Sequence, residues 1–151
     1  MSDNYSLAVG CIVRKEDKVL LVRHTYGGAA GQLLIPGGYC NMGELPEEAA
    51  QREVLEETHV VAKVEALLGI RCGRKNWYAL MLMDYVEGEP QSDGNENSEA
   101  LFMNVQEALE REDVTHMTKV ALKAMLSKKK GLLYSDEEYK EVRGNDFSLF
   151  M

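Results

Sequence analysis

The stretch Gly38-Tyr39-Cys40-Asn41-Met42-Gly43-Glu44-Leu45-Pro46-Glu47-Glu48-Ala49-Ala50-Gln51-Arg52-Glu53-Val54-Leu55-Glu56-Glu57-Thr58-His59-Val60 decides how this chain reads. At about 3.6 residues per helical turn, Glu53, Glu56 and Glu57 stand at i, i+3 and i+4, so on a helix their side chains project from one side as neighbours of Arg52. Carboxylates that close repel unless a cation lies between them or one of them holds a proton. A triad of hard oxygen donors is what Mg²⁺ or Mn²⁺ prefers. Acidic runs on helices are most often plain solvated faces, so the flanking residues have to decide.

The flanks favour a site. Upstream lies Leu34-Ile35-Pro36-Gly37-Gly38, an apolar strand ending in a turn where glycine allows backbone angles and close approaches that other residues resist. Glu44 follows six positions after Gly38. Pro46 fits a first helical turn, and Glu47 and Glu48 suit the positive end of the helix dipole. In type and spacing Gly38, Glu44, Arg52, Glu53, Val54, Glu56, Glu57 and Val60 match the Nudix box, G-x5-E-x7-R-E-U-x-E-E-x-G-U with U a bulky aliphatic residue, and the chain resembles the Nudix hydrolases. The match spans residues 38–60, and the remainder is compatible in length and element order. One position departs: His59 replaces the second glycine. That position falls just beyond the helix, where a left-handed residue is the common cap. A non-glycine residue costs about 1 kcal/mol there, with histidine among the side chains enriched in that region. His59 is therefore expected to affect stability and not chemistry.

The resemblance implies a reaction in which divalent metal, Mg²⁺ or Mn²⁺, holds a diphosphate joined to some other moiety and water attacks one phosphorus. It implies that Glu53, Glu56 and Glu57 hold the metal, with the backbone carbonyl of Gly38 or Gly37 as a further ligand. Arg52 and Glu44 are implied to orient those glutamates through charge-assisted hydrogen bonds. The family often takes its general base from a glutamate outside the box, on the loop before the last strand. Glu96 and Glu99 both qualify, and Glu99 is preferred because it directly precedes Ala100-Leu101-Phe102-Met103, where a strand base fixes a side chain better than a loop tip. Glu53 is a third possibility, taking the proton itself. Arg23 and Tyr78 are candidate substrate contacts. Tyr78 also resembles in placement a tyrosine of dinucleoside polyphosphate hydrolases. The expected activity is that of a MutT-like nucleoside triphosphate pyrophosphatase. A dinucleoside polyphosphate or nucleotide-sugar hydrolase is the alternative, as is a non-catalytic ligand-binding module, which the complete set of carboxylates disfavours.

Composition bounds the rest. A chain of 151 residues is one domain of ordinary size; residues 1–130 read as the Nudix domain and 131–151 as its C-terminal extension. A formal net charge of -8 argues against nucleic-acid backbones as partners, which need a basic footprint, but not against a small nucleotide carried in by cations. Cys11, Cys40 and Cys72 show neither a disulfide framework nor zinc spacing. No secretory leader or bilayer-spanning stretch is visible, which makes the cytoplasm the expected compartment and a membrane no partner.

Along the chain, residues 6–13 and 18–23 read as a hairpin, 26–32 as a glycine-rich loop near the site, 33–35 as a short strand and 46–58 as the acidic helix. Residues 60–72 and 77–87 read as two strands, 100–105 as the last strand, and 106–111 and 115–128 as helices. This pattern predicts an α/β fold with a mixed sheet covered on both faces, in agreement with the Nudix-like α/β/α sandwich that the resemblance implies. In the tail, Lys128 to Lys130 suit the negative end of the preceding helix. Residues 134–142 read as a helix capped by Ser135 with Glu138 in a capping box. The apolar end, Phe147 to Met151, either packs on its own domain or meets a second subunit in a homodimer.

Overall fold

Eight strands and four helices make up the computed structural model, which describes residues 5–127, 132–143 and 149–151. In chain order they are β1 (Ser6–Lys15), β2 (Lys18–His24), β3 (Leu33–Leu34), β4 (Gly37–Tyr39), α1 (Pro46–Thr58), β5 (Val61–Cys72), β6 (Asn76–Glu87), β7 (Asn97–Asn104), α2 (Val105–Glu110), α3 (His116–Leu126), β8 (Leu133–Tyr134) and α4 (Glu137–Arg143).

β1 organises the sheet. Along one side it runs parallel to β6, from Ser6 opposite Asn76 to Arg14 opposite Asp84. Its other side is shared: Ala8 to Gly10 pair with β4, whereas Arg14 and Lys15 turn through the hairpin to β2. β2 pairs in turn with β3 and β7, and β5 lies between β6 and β8. All these pairs apart from β1 with β6 are antiparallel, so the sheet is mixed as expected.

The period-two alternation of strand side chains sorts the core into two layers. Val9, Cys11 and Val13 of β1, with Ala79, Met81 and Met83 of β6, face α1 and meet Ala49, Ala50 and Val54. Ile12 of β1, with Leu80 and Leu82 of β6, faces the other way and packs with Ala108 of α2 and with Ala121 and Leu122 of α3. Helices therefore cover both faces, which is the α/β/α sandwich.

α1 begins and ends as its sequence dictates. Pro46 occupies the first turn, and the Leu45 N–H donates to Glu48 Oε1 at 2.9 Å, satisfying a donor outside the helix. The helix stops at His59, whose φ of 62° and ψ of 11° are left-handed and whose N–H donates to the Leu55 carbonyl at 3.0 Å. A His59→Gly variant is thus expected to gain about 1 kcal/mol by relieving the left-handed strain, less what a glycine adds to unfolded-chain entropy. That amounts to roughly 2–4 °C in Tm for a chain of this size, with kcat unchanged. Thermal melting with a parallel activity assay checks it, and a collapse of activity would show that His59 has a chemical role.

The tail differs from expectation. Tyr134 is not the start of a helix: with Leu133 it forms a strand on the outer edge of β5, the two lying opposite Ala66 and Leu67. Ser135 does not cap α4: it bridges to Phe150, and Asp136 Oδ1 accepts the Tyr139 N–H at 2.8 Å. With α4 starting at Glu137, Asp136 is the residue in the N-cap position, and its carboxylate is the stronger acceptor. Leu149 to Met151 pair back onto Tyr134 and Asp136, and Phe150 packs against the α1 side of the core, so the terminus folds onto its own domain. The Lys128 to Lys130 run and Phe147 and Ser148 lie outside the described residues.

Candidate active site

Two glycines set the floor. A Cβ on Gly37 would strike the Val9 carbonyl, so glycine there is what lets β4 lie against β1. A Cβ on Gly38 would meet Glu53 Oε1 at 2.5 Å, which means that the space beside Gly38 holds the Glu53 carboxylate. Glu57 is buried at 4 % exposure, and its carboxylate accepts the Gly37 N–H at 3.2 Å. Burial, and then the neighbouring Glu53 charge, push its pKa up to about 8. Glu53 is raised too, by burial above all, with Arg52 pulling the other way.

Arg52 holds the cluster in place. Its Nε and one terminal nitrogen fork onto Glu44 at 2.7 and 2.9 Å, the geometry that makes arginine the residue for bidentate carboxylate contacts. The other terminal nitrogen reaches Glu53 at 2.9 Å and Glu56 at 3.2 Å, and the Tyr39 carbonyl accepts a further bond at 3.1 Å. The fork lowers the Glu44 pKa to about 2 and raises that of Arg52. Expected from the resemblance to orient the glutamates, Arg52 and Glu44 are found in contact with them or one residue removed.

These groups open on a cleft of about 510 Å³. Glu53, Glu56, Glu57, Gly37 and Gly38 form one wall, Tyr26, Tyr39 and Asn41 stand at its sides, and Asp93, Asn95 and Glu96 face the helix. Five carboxylates thus line it, and among the described lining residues there is no lysine or arginine. Asp93, Tyr26 and Tyr39 line the cleft without any sequence signal that marks them as site residues. The 88–96 connection carries no motif, and neither Tyr26, between β2 and β3, nor Tyr39, at the end of β4, has a spacing that signals a site.

The other candidates fall elsewhere. β7 begins at Asn97, three positions before the expected strand start, so Glu99 is a strand residue opposite Arg23. Arg23 Nε donates to Glu99 at 3.0 Å, and its Nη1 donates to Asp113 at 3.1 Å and to the Gly31 carbonyl at 2.9 Å. Among the described residues the cleft wall includes neither Arg23 nor Glu99, and the loop acid that does reach it is Glu96. Tyr78 lies on the α3 side of the sheet with its ring over Gly10 and the Arg71 guanidinium 4.8 Å from the ring centroid. Its hydroxyl is pushed up chiefly by burial. Tyr78 is not on the cleft wall either.

Among the described residues no three acidic, histidine or cysteine side chains form a ready metal cage. Glu56, 60 % exposed at its side chain, turns to Arg52 instead of Glu57. The donor set nonetheless suits a hard dication. Glu57 and Glu53 are neighbouring, largely buried carboxylates, and the shift of Glu57 to about 8 expresses how poorly the bare pair tolerates a second negative charge. Glu53, Glu56 and Glu57 are the residues that would hold such an ion, with Gly37 and Gly38 forming the floor beside them.

The comparisons agree with this architecture. The family model of the NUDIX domain matches residues 4–123, and the chain belongs to the NUDIX family. It is 33 % identical over 106 residues to a protein named ADP-ribose pyrophosphatase from Methanocaldococcus jannaschii, a match covering 66 % of this chain and 62 % of that protein. A MutT-like protein of Streptomyces ambofaciens is 34 % identical over 61 residues, 40 % of this chain and 38 % of the relative. The chain therefore spans less than two thirds of the length of these relatives. A NUDIX hydrolase structure from Nitrosomonas europaea superposes with a TM-score of 0.75 at 23 % identity, covering 85 % of this chain and 74 % of the other, and so supports the fold. No helix among the described residues is long and apolar enough to cross a membrane.

Proposed function

We propose that the protein hydrolyses the diphosphate linkage of a nucleoside diphosphate derivative with the help of divalent cations. The observation that carries this reading is the buried Glu57 carboxylate, seated against the Gly37 N–H and next to Glu53 in a cleft walled by acids. A polyanionic diphosphate is repelled by five carboxylates, so its entry requires cations that the same carboxylates attract. When bound, Mg²⁺ or Mn²⁺ neutralises non-bridging phosphate oxygens and lowers the pKa of the attacking water.

The residues of the chain divide the remaining work. Arg52 fixes Glu53 and is itself fixed by Glu44, so the carboxylate does not need to reorganise as charge develops. Glu96 faces the box carboxylates across the cleft and is our candidate to take the proton from water, in place of Glu99, whose carboxylate is engaged by Arg23. Tyr26 and Tyr39 offer exposed rings at the rim to a nucleobase.

For the substrate, the Methanocaldococcus relative supports ADP-ribose, and the MutT-like relative supports the nucleoside triphosphate expected from the sequence. Incubation with Mg²⁺ and a panel of both kinds, followed by product analysis, separates them. AMP with ribose 5-phosphate marks the first, and a nucleoside monophosphate with pyrophosphate the second. Tight binding across the panel without any product would replace the enzyme by a ligand-binding module.

A further inference from the structure

The loop that bears Glu96 is sewn to its surroundings from two sides. On the inside, Asn97 is 1 % exposed, and its Nδ2 donates to the Glu57 backbone carbonyl at 2.9 Å. That carbonyl belongs to the last turn of α1, where helix carbonyls lack an intrahelical partner. The next carbonyl, of Thr58, accepts the Gln91 N–H at 2.9 Å. Asn97 Oδ1 accepts the Asp93 N–H at 3.2 Å, while Asp93 Oδ1 accepts the N–H groups of Asn95 and Asn97 at 2.9 and 3.0 Å. Both functions of one buried amide are thus used, one on the carboxylate helix and one on the facing loop.

On the outside, the Thr25 hydroxyl is shared between the carbonyls of Asn95 and Glu96 at 2.9 and 3.1 Å, and the Thr25 N–H donates to the Glu96 carbonyl at 3.1 Å. A bulge in the pairing of β2 with β7 lies at this point: Arg23 is opposite Glu99, but His24 is opposite Asn97, leaving Ser98 extra. Bulges re-aim side chains beside functional sites, and this one accompanies the inward burial of Asn97.

We propose that Asn97 and Thr25 are positioning residues that hold the Glu96 loop against the end of α1, fixing the Glu96 carboxylate relative to Glu53 and Glu57. The proposal rests on the reading of Glu96 as proton acceptor. Neither residue lines the cleft itself; each acts through residues that do, Asn97 through Glu57 and Asp93 and Thr25 through Asn95 and Glu96.

A double-mutant cycle tests it. Glu96→Gln is expected to lower kcat by about 10²-fold or more, Asn97→Ala by roughly 10–100-fold, and Thr25→Val several-fold, with KM little changed. In the Glu96→Gln background, Asn97→Ala and Thr25→Val are expected to add no further loss, because what they position no longer functions. Undiminished, additive losses in that background would overturn the proposal while leaving Glu96 its role. A Glu96→Gln enzyme with normal kcat would overturn the underlying reading, and the proposal with it. Circular dichroism monitors folding. If Asn97→Ala does not fold, the exposed Thr25→Val cycle decides by the same criterion.

Discussion

A Glu57→Gln enzyme is expected to lose about 10³-fold in kcat at saturating Mg²⁺ while melting, in the presence of a chelator, no lower than the parent chain. The loss follows from charge. A carboxylate that helps hold a dication contributes to several kcal/mol of transition-state stabilisation, and each ~1.4 kcal/mol is a factor of ten in rate. The amide is nearly isosteric, and its oxygen still accepts the Gly37 N–H now made to Glu57 at 3.2 Å. Without metal, stability is preserved because the neutral amide stands in for a carboxyl that burial and Glu53 keep protonated up to about pH 8. Truncation of a merely structural ion pair would do the reverse, lowering Tm and sparing kcat. Steady-state kinetics with a Mg²⁺ titration, beside a thermal melt, reads both halves, and near-normal turnover would refute the metal assignment.

How far the sequence carries this site depends on the kind of interaction. α1 was legible to the residue, since Pro46 starts it, its acids share one face and position 59 demands a left-handed cap. The layering of β1 and β6 was legible because strand alternation is local. The base candidate was not. Glu96 and Glu99 differ by three positions, and what separates them is where β7 begins, which Asn97 decides through a bond to a carbonyl 40 residues away. Arg23 reads as a candidate substrate contact because its partners, Glu99 and Asp113, come from distant segments that the sequence alone does not bring to it. Tyr78 read as a ligand contact because spacing does not disclose which sheet face a residue takes, and here it is the face opposite α1. The tail was ambiguous for a similar reason: Leu133 and Tyr134 form a strand only because β5 offers an open edge.

In the presence of a chelator, stability is expected to fall as pH rises from about 4.5 to about 8, and Mg²⁺ is expected to restore it most at the alkaline end. Glu57 supplies the sign. Its folded pKa of about 8 lies above the ordinary 4.5, so in this interval the unfolded chain has released a proton that the folded chain still binds. The unfolded state therefore gains with each step in pH, and the contribution of the protonated group, present in full below about 4.5, is lost by about 8. A shift of this size corresponds to a few kcal/mol at most. Glu44 works in the opposite sense and elsewhere: depressed to about 2 by Arg52, it favours the fold above about 4.5 and loses that effect as pH drops toward 2. A cation that binds the ionised Glu57 only in the folded chain stabilises by mass action, so the Tm gain from millimolar Mg²⁺ grows between roughly pH 5 and pH 8.5. Melting curves across that range, with and without Mg²⁺, measure it. Glu57→Gln should remove most of the alkaline decline and most of the Mg²⁺ recovery, Glu53 leaving a smaller decline in the same sense. An unaltered pH profile in that variant would assign the decline to other groups and remove Glu57 from the centre of the site.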